Sequence, residues 1–228
     1  MDKARQNESG RRLFLAAAVA VCFCASAAHA DGNGLDAGGL TFRDFAVADR
    51  GASFHRIDST FGVNGANPLP SRVLAIDNDN GLARIRFETI RAEVSLPLGW
   101  QATEDWERGV GYSSDKRYRM LVWRVDFAFE GVRDAEHYAA TKGGAIKARL
   151  PAIQAEARKL RDGTFLIVYD NVPPSQGDSE RRVVFDLITS KPGNPTEGVL
   201  MTLGVPARDA ARGLKLFALL NARLGIDW

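Results

Sequence analysis

The residues best spaced for chemistry lie in an acidic run, AIDNDNGLARIRF, at 75–87. Counted from Asp77 as an EF-hand-type calcium loop, Asp79 falls at position 3 and Glu88 at position 12, where such loops place oxygen ligands. Position 5 is Gly81, which has no side-chain oxygen, and position 6 is Leu82 where the sharp turn needs glycine. Both flanks, RVLAI and LARIRF, read as strands and not as the helices of a calcium hand. Asn80-Gly81 is a strong hairpin signal, because both residues tolerate positive φ. The run is therefore read as a β-hairpin, with a weakly held surface ion as the alternative.

Other reactive sets are sparser. Glu136-His137 would make an acid/base pair, but neighbouring helix positions point about 100° apart and neither orients the other. His55 lies in residues 40–71, where the pattern is mixed between strand and turn. A zinc site is not spelled out, since HExxH, HxH and cysteine pairs are missing and a catalytic zinc takes three protein ligands. Gly111-Tyr112-Ser113-Ser114-Asp115 lacks the second glycine of a nucleophile elbow. Gly143-Gly144-Ala145-Ile146-Lys147 lies inside a helical pattern and carries no Ser/Thr after the lysine, so it is not a phosphate loop. No catalytic, metal or cofactor set is assigned, although paired carboxylates can perform acid/base hydrolysis without any motif.

The stretch WQATEDWERGVGYSSDKRY (100–118) is richer in binding chemistry. Trp100, Trp106, Tyr112 and Tyr118 are interleaved with Arg108, Lys116 and Arg117, and interfaces concentrate aromatic and Arg anchors. Trp100 and Tyr118 suit the edge of a core. Trp106, set among Glu104, Asp105, Glu107 and Arg108, is harder to bury. Trp106, Arg108 and Tyr112 are the candidate partner-binding residues.

These residues are carried by a chain that begins with a charged leader, an uncharged run Leu13–Ala28, and Ala28-His29-Ala30. That is the layout of a cleavable export signal over residues 1–30, cut after Ala30. Arg11-Arg12-Leu13-Phe14-Leu15 resembles a twin-arginine signal, with Gly10 and Ala16 departing from its pattern, so Sec and twin-arginine routes both stand. Cleavage would leave 198 residues with 26 basic and 26 acidic side chains, removing the net +2 of the full chain and with it the case for a nucleic-acid partner. Both cysteines, Cys22 and Cys24, would also go, taking thiol chemistry with them. No later apolar run is long enough to span a membrane.

The elements that must position the candidates follow. DGNGLDAGG (31–39) reads as a flexible linker, and 40–228 as a single domain. TFRDFAVAD has strand character, and 61–72 is turn-rich. A change of phase near Thr89 marks a bulge or a break between two strands. From 119 to 129, Leu121, Trp123, Val125, Phe127 and Phe129 alternate with Val122, Arg124, Asp126 and Ala128, predicting a long strand with one buried face. Asp134 caps a helix whose stripe runs through Tyr138, Ile146, Leu150, Ile153, Ala157 and Leu160, weakened by Gly143-Gly144, kinked or restarted at Pro151 and ended by Gly163. Strands are expected at 164–170, 181–189 and 198–205, and a closing helix near 208–224.

From Val94 the order is strand, Leu-Pro-x-Gly-Trp, variable loop, long alternating strand, helix, three strands and terminal helix. This resembles the PsbP family and the exported bacterial DcrB-like proteins that share its fold, over about residues 82–224, with SLPLGW as the only local motif. The resemblance implies an α+β fold, an antiparallel sheet with two helices packed on it as an α/β/α sandwich, and a non-catalytic assembly or binding role. The expectation is an exported periplasmic or secreted bacterial protein that binds or stabilises an envelope protein partner. A small-molecule or weak ion binder, or a carboxylate-only hydrolase, is the alternative.

Overall fold

The structure, a computed structural model, describes residues 34–46, 71–174 and 179–228. The leader with Ala30, His55 and most of the turn-rich stretch lie outside the described residues. Strands β1 (Arg72–Asp77), β2 (Leu82–Phe87) and β3 (Ala92–Pro97) form a small antiparallel sheet, completed by β11 (Gly225–Ile226). The larger sheet has the order β4-β5-β6-β10-β9-β8-β7, every pair antiparallel. Its strands are β4 (Gln101–Glu104), β5 (Arg108–Tyr112), β6 (Arg119–Asp126), β7 (Gln154–Lys159), β8 (Phe165–Val172), β9 (Arg182–Lys191) and β10 (Asn194–Pro206). Two helices, α1 (Ala135–Arg149) and α2 (Ala210–Ala222), pack on it.

This is the expected α+β class, with a second sheet as an added layer. The break near Thr89 is the reason: β2 and β3 turn on each other over residues 88–91 instead of running on as one strand. On one face of the large sheet lie the small sheet and α2, enclosing Phe87, Leu96, Trp100, Met120, Leu203 and Phe217. On the other, α1 covers Val125, Phe127, Ile167, Ile188 and Leu200. Strand β6 is thus buried on both faces, not one: Met120 and Val122 point to the small sheet, Trp123 and Val125 to α1. It also stops at Asp126, leaving Phe129 88 % exposed in the following turn.

Three local expectations change. Helix α1 ends at Arg149, and Ile153, Ala157 and Leu160 belong to strand β7 and its flanks. Pro151 cannot continue a helix, and beyond it a short apolar pattern fits period 2 as well as 3.6. TFRDFAVAD holds a 3₁₀ turn, Phe42–Phe45, where a strand was expected, because Asp44 accepts the Thr41 N–H at 2.7 Å and closes the chain on itself. The stretch 100–118 is not a loop but contributes β4 and β5, an ordered hairpin at the sheet edge. Leu35, within 31–39, packs into the core at 7 % exposure.

Candidate functional site

The β4–β5 hairpin displays its tip from a base packed tightly on the small sheet. Gly109 and Gly111 put bare backbone against the small sheet: a Cβ at Gly109 would lie 2.3 Å from the Phe87 ring, and one at Gly111 2.8 Å from Leu96. The turn itself is closed by Asp105, whose N–H donates to the Arg108 carbonyl at 3.0 Å. Its Oδ1 accepts the N–H groups of Glu107 and Arg108 at 2.9 and 2.8 Å, and its Oδ2 takes the Arg108 Nε at 3.0 Å. Trp106 and Glu107 are left at the apex, with Trp106 60 % exposed.

Trp106 and Arg108 are therefore brought together. Tyr112 is not: it stands half-buried at the other end of β5, opposite Gln101 and Arg119. Four residue steps along the strand separate it from Arg108, about 13 Å. Trp100 is core, 1 % exposed, its Nε1 donating to the Phe45 carbonyl at 3.1 Å, and Tyr118 packs beside it at 6.2 Å between ring centroids. Burial first, then the Asp209 carboxylate, pushes the Tyr118 hydroxyl up to about 12.

The residues that suggested chemistry are engaged locally. Asp77 accepts the Asn80 N–H at 2.9 Å and its Nδ2 at 2.6 Å, and these bonds to Asn80 hold the Asp77 carboxylate below its ordinary range. The run is a hairpin, as read, but its connection is four residues, 78–81, with Gly81 alone at positive φ. His137 serves the start of α1: its N–H donates to Asp134 at 2.8 Å and its Nδ1 accepts the Arg133 N–H at 3.3 Å. Glu136 points away, toward Lys159 at 3.9 Å. Ser113 closes a turn with Asp115 at 2.5 Å and the Tyr118 N–H at 3.0 Å.

Two buried carboxylates and one groove had no signal in the sequence. Glu104, fully buried, accepts the N–H groups of Glu88, Thr89 and Ile90 at 2.9, 2.6 and 3.4 Å. Asp186 of β9, 2 % exposed, accepts the Thr202 hydroxyl and pairs with Lys142 of α1 at 2.8 Å. Above it the Lys142 ammonium sits 5.4 Å from the Trp123 ring and 5.7 Å from Tyr138, whose hydroxyl burial pushes up to about 12. A groove of about 1130 Å³ runs between α2 and β7–β9, floored by Val168, Val183 and Phe185 and walled by Ala210, Ala211 and Leu214. On the α2 side its wall is lowered by the small side chains of Ala210 and Ala211. Glu156, Arg158, Asp170 and Arg208 edge it. Only a three-dimensional register brings these groups together, so linear spacing does not show them.

No family model and no curated protein sequence matches the chain. Among solved structures it is similar to a point mutant of the protein Mog1, at 11% identity and a TM-score of 0.44, covering 64% of this chain and 95% of that one. It is also similar to the solution structure of cyanobacterial PsbP (CyanoP) from Synechocystis sp. PCC 6803, at 16% identity and a TM-score of 0.45, covering 64% of this chain and 93% of that one.

Proposed function

We propose that the chain is an exported, non-catalytic binding protein that engages a protein partner in the bacterial envelope through the tip of the β4–β5 hairpin. One observation carries this reading: Trp106 is held 60 % exposed on a turn pinned by Asp105, with Arg108 beside it. An aromatic presented on a rigid turn loses little conformational entropy on binding, and Trp and Arg dominate interface hot spots. The leader at 1–30 supports export, and the structural employment of Asp77, His137 and Ser113 supports a role without catalysis. Arg108 extends the contact, whereas Tyr112 reaches only a partner that runs along β5.

The test is a photo-crosslinking residue at position 106 in cells, followed by measured affinity of the captured protein for wild type and Trp106→Ala. The variant is expected to bind about thirtyfold more weakly, the loss of a central anchor, at an unchanged melting temperature. A variant that melts early yet captures its partner normally would overturn the reading. The groove beside α2 favours a second reading, a small apolar ligand, and a thermal-shift panel of such compounds checks it. Carboxylate hydrolysis has less support, since Glu104 and Asp186 are occupied by the fold's own donors.

A further inference from the structure

Strand β1 forms one edge of the small sheet and, among the described residues, has no strand on its outer side. Its sequence is Arg-Val-Leu-Ala-Ile-Asp, and Val73 and Ile76 are 39 % and 47 % exposed. Open apolar edges are templates for another strand. We infer that the occupant is a second copy of this chain, paired antiparallel to β1 about a two-fold axis through Ala75.

The bulge in β1 makes this pairing possible. Against β2 the register is Arg72 to Arg86, Val73 to Ile85, Ala75 to Arg84, Ile76 to Ala83 and Asp77 to Leu82, with Leu74 the extra residue. Directly opposed residues share a face of the sheet. Val73 and Ile76 therefore lie on one face, with Ile85 and Ala83, while Arg72, Ala75 and Asp77 lie on the other. In an unbulged strand Val73 and Ile76, three apart, would point to opposite faces. With Leu74 set aside, the remaining five residues are complementary about Ala75: Val73 corresponds to Ile76 and Arg72 to Asp77.

A two-fold pairing then puts Ala75 against Ala75 of the second copy, a small residue at the axis where the backbones meet. Val73 faces Ile76 of the second copy, and Arg72 faces Asp77 of the second copy, each contact occurring twice. Apolar meets apolar and cation meets anion, with no like charges opposed. Arg72, 65 % exposed at its side chain and 2.9 Å from Glu88, and Asp77, held by Asn80, keep their local partners while they face across the new ladder. Such an interface is isologous, so the pairing closes at two copies and consumes both open edges.

The experiment is sedimentation of the protein as recovered from cells over a concentration series, together with oxidative crosslinking of Ala75→Cys in a background without Cys22 and Cys24. The expected results are a mass rising to twice that of the chain and a covalent dimer through position 75, with no crosslink from Ala157→Cys on β7. Ile76→Lys, a change at a half-exposed site, is expected to weaken dimerisation at least about tenfold while the fold persists. A monomer at every concentration overturns the inference. So does a dimer that survives Ile76→Lys and fails to crosslink through position 75.

Discussion

The Oε1 atom of Glu104, on the edge strand of the large sheet, accepts the Thr89 N–H at 2.6 Å from the turn that joins β2 to β3 in the small one. The carboxylate thus closes the 88–91 turn of one sheet from the backbone of the other. Removing it by Glu104→Ala takes the acceptor from three backbone N–H donors, one buried and two half-buried, and is expected to lower unfolding stability by about 3 kcal/mol in chemical denaturation. Desolvation holds this carboxyl above its ordinary 4.5 although the N–H donors pull it down. An acid raised in the folded state binds its proton more readily there, so folding is favoured as pH falls through the raised value toward 4.5. Wild type should therefore gain stability relative to Glu104→Gln over that acid window. Parallel pH profiles for the two proteins would contradict this.

At Gly109 the same contact between sheets leaves no room. A methyl group added there meets the Phe87 ring at 2.3 Å, and that ring is fully buried. Gly109→Ala should cost about 2 kcal/mol by overpacking and displace the hairpin that carries Trp106. The check is a denaturation midpoint alongside proteolysis of the hairpin tip.

The Lys142–Asp186 pair ties α1 to the centre of the large sheet. Lys142→Met leaves a buried carboxylate with only neutral hydroxyls, those of Thr202 and Tyr169, beside its charge, and a loss of about 3 kcal/mol is expected. Combining it with Asp186→Leu removes the stranded charge and should recover most of that loss. A double variant as unstable as the single one would show that packing, not charge, sets the cost.

Gly144 is exposed in the middle of α1, with nothing within 4 Å of an added Cβ. Gly144→Ala should stabilise the protein by about 0.5–1 kcal/mol through helix propensity alone. A melting temperature that stays level or falls would mean that α1 needs its flexibility at that point.

What the sequence disclosed, and what it hid, divides by the range of the interaction. The alternation around Trp123 and Val125, the Asn80-Gly81 turn, the Asp134 cap and the phase change at Thr89 are local, so they are legible without a structure. The end of α1 was harder, because Ile153, Ala157 and Leu160 satisfy a helical stripe as well as a strand, and Pro151 decides between them. Glu104 carries no local mark: in TEDWER it looks like one more surface charge, and only the packing of β4 against a distant turn buries it. Lys142 and Asp186 are 44 positions apart and meet only when α1 lies on β9. For the candidate site, the exposure of Trp106 and its nearness to Arg108 could be read from charged neighbours, whereas the remoteness of Tyr112 needed the strand that holds it.

The indole of Trp100 lies between the N-terminal 3₁₀ turn and the core, bonded to the Phe45 carbonyl and set against Tyr118. With the half-buried Trp123 and Trp228 replaced by Phe, its emission should be blue and that of Trp106 red, so one spectrum of that variant separates the buried chromophore from the wet one. Trp100 then serves as an optical gauge: undocking of the segment around Phe45 would shift the blue component before either sheet came apart.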